Sequence, residues 1–379
     1  MKWTEVIGQQ AVKERLMKMV SEGRMPHAIM LCGPEGCGKM ALALAFASYL
    51  LCQNHGTDGD CCGSCNSCAM LRKWQHPDLH FTFPTIKLSG MSAEHKPVSD
   101  DFITEWNSLL QQGAYFSIDQ WLNEIGTENQ QAIITAGESD SLSHKLNMKS
   151  SQGGYKVSLI WLPERMNGEC ANKLLKLIEE PPQQTVFIMV CEEPDKLLET
   201  IRSRVQRIDV KKIDTEAMER ALVERRGIDE ATARRLARIA NGNWLKAVEQ
   251  LSAENENELF LDHFQMLMRL AYQRKIKDLK RWSDTMAGYG REQQKRFLTY
   301  MLRLMRENFM YNFGNEELTY MTEREEQFAK NFARFVNEGN ILQINSLVDR
   351  AIRDIGQNAN SKIVFFDLSL QMIVLLIQN

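Results

Sequence analysis

The chain has 379 residues, with 46 Lys+Arg against 49 Asp+Glu and nine cysteines. Its 44% hydrophobic and 25% charged content gives ample core for two or three domains and excludes a mostly disordered, collagenous or fibrous chain. A formal net charge of −3 argues against a surface coated for nucleic acid, while leaving local basic patches open.

The N-terminus, MKWTEVIGQQ, lacks the basic start and apolar core of a secretory signal. Residues 9–22 place Val12, Leu16, Met19 and Val20 at helical spacing. The run AIMLC, 28–32, ends in a glycine-rich turn and is expected as a buried strand. ALALAFASYLL, 41–51, is apolar nearly all round and is expected as a buried helix. Five cysteines follow within 52–68, too uneven a distribution for disulfides in a cytosolic chain and suggestive of metal. LHFTF, 79–83, alternates like a strand. Residues 85–130 hold turn formers (Ser89, Gly90, Pro97) and amphipathic stretches with Trp106 and Trp121, and read as an insertion.

QQAIITAGESDSLSHKLNM, 130–148, is expected as a helix, and 151–154 as a turn. KVSLIWL (156–162) and TVFIMVC (185–191) are apolar strands, and CANKLLKLIEE between them is a helix stopped by Pro181 and Pro182. VQRIDV, 205–210, is a fifth strand candidate. Alternating strands and helices indicate an α/β fold with a parallel sheet covered on both faces. Beyond about 211 no convincing strand appears. Residues 215–250 form a small helical unit broken at Gly227 and Gly242, and the rest is all-helical. The most apolar stretch, 363–377, is shorter than the ~20 residues that span a bilayer and is interrupted by Asp367 and Gln371. It is expected as a buried helix, and the protein as cytoplasmic.

Gly33-Pro34-Glu35-Gly36-Cys37-Gly38-Lys39-Met40 follows a strand and opens a helix, the context of a phosphate-binding loop. Gly33, Gly36 and Gly38 would let backbone N–H groups converge on phosphates, and Lys39 would reach their outer oxygens. The alternative is an ordinary glycine turn. Met40 stands where a Ser or Thr hydroxyl would hold Mg²⁺, and a thioether is a poor ligand for a hard cation. ATP or ADP binding is left open, and the case for hydrolysis is weakened.

Cys52-x9-Cys62-x2-Cys65-x2-Cys68 offers four thiolates, the donor set of a closed, structural Zn²⁺ site. Cys61 is the surplus cysteine, because Cys62 gives the even spacing, although the sequence does not decide between the two. His55 or His76 are the alternative ligands, and a redox pair or unliganded thiols the alternative roles. No HExxH or HxE pattern supports a catalytic metal. The 20 methionines read as core filler. Trp106, Trp121, Trp244 and Trp282 read as packing.

The stretches GQQAVKERL, GRMPHAIMLCGPEGCGK, the cysteine cluster, HPDLHF, YKVSLIWLPERMN, ANKLLKLIEEPP, EEPDKLLETIRSR and GNWLKAV, spread over about 7–250, resemble the bacterial DNA polymerase III clamp-loader family of AAA+ proteins. The resemblance implies an AAA+ domain at 1–211 with a zinc module at about 52–76 and the insertion at about 85–130. It implies a helical lid at 212–252 and an all-α collar at 253–379. Hydrolysing gamma/tau members end the strand before ANKLLK in an Asp-Glu pair that supports Mg²⁺ and orients water. Here those positions are Trp161 and Leu162, with Glu164 two residues further on. The arginine of the family's second sensor corresponds to Leu245, and the adjacent Lys246 would point about 100° away. These losses resemble the non-hydrolysing delta-prime members.

Ser203-Arg204 matches the core of the family's Ser-Arg-Cys motif, with Val205 for the Cys. The resemblance implies that Arg204 is an arginine finger in trans to a neighbouring subunit. The alternative is a solvated basic edge, which is the reading for Arg202 and Arg207. The resemblance further implies a non-catalytic subunit of the polymerase holoenzyme. Its partners would be gamma/tau and delta subunits, and through the complex the sliding clamp and primer-template DNA. The alternatives are a gamma/tau-like ATPase or a free-standing zinc-bearing adaptor.

Overall fold

The computed structural model describes residues 1–55, 59–88, 90–92, 94–127, 131–313 and 320–376. Ser89, Gln130 at the start of the helix expected over 130–148, and Ile377 at the end of the apolar stretch lie outside these residues. The chain divides into two compact units, Met1–Gln250 and Leu251–Asn379.

The first unit is built on five parallel strands in the order β2-β3-β4-β1-β5: β1 Ala28–Cys32, β2 Leu79–Thr82, β3 Lys156–Trp161, β4 Thr185–Cys191 and β5 Gln206–Asp209. The register of the central pair sets Ala28 opposite Phe187 and Cys32 opposite Cys191. Strands β1, β3 and β4 are buried along their whole length, because both faces are covered. At the edge, β5 buries only Ile208.

Alternation distributes each strand between two cores. Ile29, Leu31, Val157, Leu159 and Ile188 meet Leu42 and Phe46 of α2 (Lys39–Leu51) on one face. Met30, Ile160, Phe187 and Met189 meet Leu142 and Leu146 of α6 (Ala136–Asn147) and Leu174 and Ile178 of α7 (Gly168–Glu179) on the other. Helix α7 is capped by Asn167, whose side chain accepts from Cys170 N–H, and it stops before Pro181. Around this core lie α1 (Gln10–Ser21), α3 (Asn66–Leu71) and α8 (Glu199–Arg202).

The sequence expectation for 130–148 needs correction: the helix starts only at Ala136. Thr85 and Ile133 exchange backbone hydrogen bonds at 2.9 and 3.0 Å, and Ile134 N–H donates to Arg165 O. Two adjacent β-branched residues prefer that extended pairing to a first helical turn. Among the described residues of 85–130 two α-helices form, α4 (Ile103–Gln112) and α5 (Ile118–Glu124), after a 3-10 turn at Ser99–Phe102. They carry Trp106 and Trp121 into the first core, where both are fully buried. Trp106 stacks on Phe83 at 4.1 Å between ring centroids.

Past β5, α9 (Thr215–Arg226) and α10 (Glu230–Ala240) pack on each other. Each opens on an Asp cap, Asp214 and Asp229, and each ends on a left-handed residue, Gly227 and Asn241.

The boundary between the units falls within α11 (Trp244–Tyr272). The described elements of the second unit are otherwise helical: α12 (Ile276–Ala287), α13 (Arg291–Tyr311), α14 (Glu323–Phe332), α15 (Ile341–Gly356) and α16 (Ser361–Leu375), with one short 3-10 turn at Ala333–Phe335. Their core joins Phe264, Trp282, Phe297, Leu304, Val348 and Phe365. Helix α16 is buried on one face only. It covers Phe365, Leu368 and Met372 and leaves Ile363 and Val374 exposed, so the buried helix expected here is buried on one side and open on the other. Among the described residues no helix is long and apolar enough to cross a membrane.

Candidate functional site: a closed phosphate loop, an exposed arginine and a cysteine cluster

The loop between β1 and α2 has the backbone of a phosphate loop. Gly36 and Gly38 adopt φ of 69° and 94°, a region that only glycine enters freely. Its lysine is engaged by the chain itself, and its backbone is braced by residues from outside the loop. The Lys39 side chain is only 3% exposed. Its Nζ donates to Pro34 O at 2.6 Å and pairs with Glu192 Oε1 at 3.3 Å. Burial pushes the Glu192 carboxyl up, and the Lys39 ammonium opposes that shift. Asn243 Oδ1 lies 1.9 Å from the place a Cβ on Gly36 would take, so no other residue fits there without movement. Trp244 N–H donates to Gly36 O at 3.0 Å, and Gln9 Nε2 donates to Cys37 O at 3.0 Å. Tyr115, from the segment joining α4 to α5, packs against Gly38, and its hydroxyl accepts from Ile7 N–H at 2.9 Å.

Met40 is buried in the first turn of α2. Trp161 and Leu162 at the end of β3 are each 3% exposed. Trp161 packs its ring 5.3 Å from Trp106 and 5.1 Å from Phe116. Glu164 turns away to clamp the exit of β4: its Oε1 accepts from Glu192 N–H at 2.8 Å and Glu193 N–H at 3.1 Å. Leu245 is half-buried and Lys246 exposed on the first turn of α11, which Asn243 caps by accepting from Lys246 N–H.

Arg204 lies between α8 and β5, exposed. Its Nε is 2.5 Å from Glu179 Oε1 at the end of α7, and a guanidinium N–H donates to Thr200 O at 2.9 Å. Ser203 Oγ donates to the same carbonyl at 3.2 Å. Arg202 pairs with Asp195 and Glu199, and Arg207 with Asp209 on its own strand.

Cys52, Cys62, Cys65 and Cys68 bring their four sulfurs within 4.8 Å of one another, a group that could hold a metal ion. The distances Cys52–Cys62, Cys52–Cys68 and Cys62–Cys68 are 3.6, 3.7 and 3.9 Å. Metal–sulfur bonds of about 2.3 Å in a tetrahedron set edges of about 3.8 Å, so the donor set and its spacing fit Zn²⁺. Backbone N–H groups of Cys62 and Cys65 donate to the sulfurs of Cys52 and Cys62 at 3.3 Å. Donation from Ser64 and Cys65 N–H brings the Cys62 thiol down to about 5. The neighbouring Cys61 turns away toward Met1 O, and burial beside Asp60 pushes it up to about 11. His55 is bonded to Tyr49 O and His76 to Ser67 Oγ.

Sequence reasoning missed Glu192, Asn243, Gln9 and Tyr115. Only Glu192 left a signal: two acids follow β4 directly, at the carboxyl edge of a parallel sheet where ligands of such folds bind.

The family described as DNA polymerase III, delta subunit matches residues 8–214. The DNA polymerase III subunit delta' of Bacillus subtilis is 27% identical over 311 residues, which are 82% of this chain and 79% of that protein. The delta' subunit of Pseudomonas aeruginosa is 33% identical over 178 residues, 47% of this chain and 41% of that protein. A DNA polymerase III subunit gamma/tau of Mycobacterium tuberculosis is 28% identical over 223 residues, 59% of this chain and 31% of that protein. The match thus spans most of the Bacillus relative and less than half of the other two.

Proposed function

Because the chain belongs to the DNA polymerase III delta subunit family of AAA+ clamp-loader proteins, and within it resembles the delta' subunits, we propose that it is a non-hydrolysing clamp-loader subunit. In this reading it is a scaffold and the donor of an arginine finger to an ATP-hydrolysing neighbour. The observation that carries the reading is the Lys39–Glu192 pair. The one lysine that would meet a nucleotide's phosphates is held by the chain's own carboxylate and carbonyl. Trp161 in the aromatic cluster, at the strand end where a metal-supporting acid would stand, supports the same conclusion.

We assign Arg204, set by Ser203, to the γ-phosphate of the neighbouring subunit, where a guanidinium in trans stabilises transition-state charge. It is exposed, and its contacts to Glu179 and to Thr200 O are surface contacts that it can exchange for a partner on assembly. We divide the chain into an AAA+ domain at 1–211, a lid at 212–252 and a collar at 253–379. The four cysteines hold one structural Zn²⁺, which when bound locks the segment after α2. Gamma/tau and delta subunits are the direct partners, the sliding clamp and primed DNA are met through the complex, and the compartment is the cytoplasm.

The test is reconstitution with gamma/tau, delta and clamp. ATP-dependent clamp loading should require this chain and should fall at least about 10³-fold with Arg204→Ala while the complex still assembles. Loading that proceeds unchanged without the chain would remove the clamp-loader role. Unchanged ATPase in an assembled Arg204→Ala complex would remove the finger. ATP turnover by the purified chain alone would favour a gamma/tau-like motor.

A further inference from the structure

The second unit carries a cleft of about 240 Å³ between the end of α11, the end of α14 and the 3-10 turn after it. Its base is apolar, with Met268 and Phe332 at 2% and 6% exposure. Aromatic rings form its mouth: Tyr272 is 59% exposed and lies 5.2 Å from Phe335 between ring centroids. Two exposed arginines, Arg269 and Arg334, also line it, the second with its guanidinium 5.0 Å from the Phe335 ring, and Gln265 and Asn331 add neutral polar groups. Among the described residues no carboxylate lines the cleft. Among the described residues neither arginine is ion-paired, while Arg296, Arg303 and Arg324 on the same unit all are.

An apolar recess wide enough for one large side chain, flanked by two arginines without ion pairs, recognises a particular chemistry. We propose that this cleft docks an acidic peptide segment of a partner protein, one that inserts a bulky aromatic or aliphatic side chain between flanking carboxylates. Burying the anchor in the recess supplies affinity, and the two arginines select acidic flanks. A single nucleic-acid strand fits less well. Its affinity grows with the number of phosphates neutralised, and only two cations are present. None of these residues belongs to the phosphate loop, the Arg204 segment or the cysteine cluster, so the inference stands or falls independently of the clamp-loader reading.

The experiment uses the full chain and fluorescence anisotropy. The probe is a labelled peptide of three glutamates, one phenylalanine and three glutamates. Controls are the same peptide with glycine at the centre, one with lysines for glutamates, and a twelve-residue oligothymidylate. The phenylalanine–glutamate peptide should bind, should weaken as salt rises, and should lose at least about tenfold in affinity with Arg269→Glu, Arg334→Glu or Tyr272→Ala, each an exposed position whose folding is checked by circular dichroism. Equal binding of the glycine peptide, indifference to all three variants, or preferential binding of oligothymidylate through the same residues would overturn the proposal. So would a tenfold gain on removing residues 377–379, because the chain's own terminus would then be the occupant.

Discussion

Lys39 and Glu192 form a largely buried ion pair across the mouth of a glycine loop: the lysine side chain is 3% exposed and the glutamate 33%. In a working phosphate loop that lysine must be released to the incoming phosphates. Here release costs the carboxylate its partner and leaves Pro34 O without a donor. Lys39→Ala therefore tests whether the lysine serves structure or ligand. Stability should fall by about 1–3 kcal/mol, the penalty for leaving buried polar groups unpaired, read from the urea midpoint. Titration calorimetry with ATP and ADP should show no binding to either form, and clamp loading by the assembled complex should be unchanged. A nucleotide affinity present in the natural chain and lost in the variant would contradict this.

Restoring an acid at the end of β3 should not restore a motor. Trp161 is packed against Trp106 and Phe116. Trp161→Asp removes that aromatic volume and puts a carboxyl among rings. The expected loss is about 3–5 kcal/mol from the cavity alone, and no ATP turnover appears. Denaturation and a coupled ATPase assay read both outcomes. ATP turnover gained without loss of stability would show that the site is closed by one residue, not by its whole surroundings.

The parts of this fold that could be read from sequence were those decided by local chemistry. The uninterrupted apolar runs of β1, β3 and β4 allow little besides a doubly covered strand, and glycines before Lys39 define the loop. Residues 85–130 resisted because Trp106 and Trp121 sit on short helices whose burial depends on a sheet far away in sequence. The residues that close the loop were illegible for the same reason. Asn243 and Tyr115 are ordinary polar and aromatic residues until the chain brings them to Gly36 and Gly38. The cysteine cluster lay between these extremes. Spacing favoured Cys62, and only coordinates separate its sulfur from that of Cys61.

That separation makes the metal site testable residue by residue. Elemental analysis of protein made without added metal should find about one equivalent of zinc, the content of a single four-cysteine site. Cys62→Ser should lose most of it and lower the melting temperature, because metal binding is coupled to folding of its segment. Cys61→Ser should keep the zinc, since its sulfur turns toward Met1 O. Equal zinc loss from both variants would mean that Cys61 belongs to the ligand set.

Acid stability offers a check on the sheet itself. His80 on β2 is held neutral by burial, with the Lys145 charge adding to the effect, and its folded pKa falls to about 4 from an ordinary 6.5. The unfolded chain therefore takes up this proton at a higher pH than the folded one. The stability that neutral His80 protects is complete above about pH 6.5 and drains away as pH falls toward 4, by about 2–3 kcal/mol over the whole interval. His80→Gln does not titrate, so its unfolding free energy should decline less steeply between pH 7 and 5 than that of the natural chain. Measuring both proteins side by side cancels the acid sensitivity of the cysteine cluster, which they share. Parallel pH profiles would mean that His80 is protonated in the folded state at an ordinary pH and that β2 is more open to water than its packing indicates.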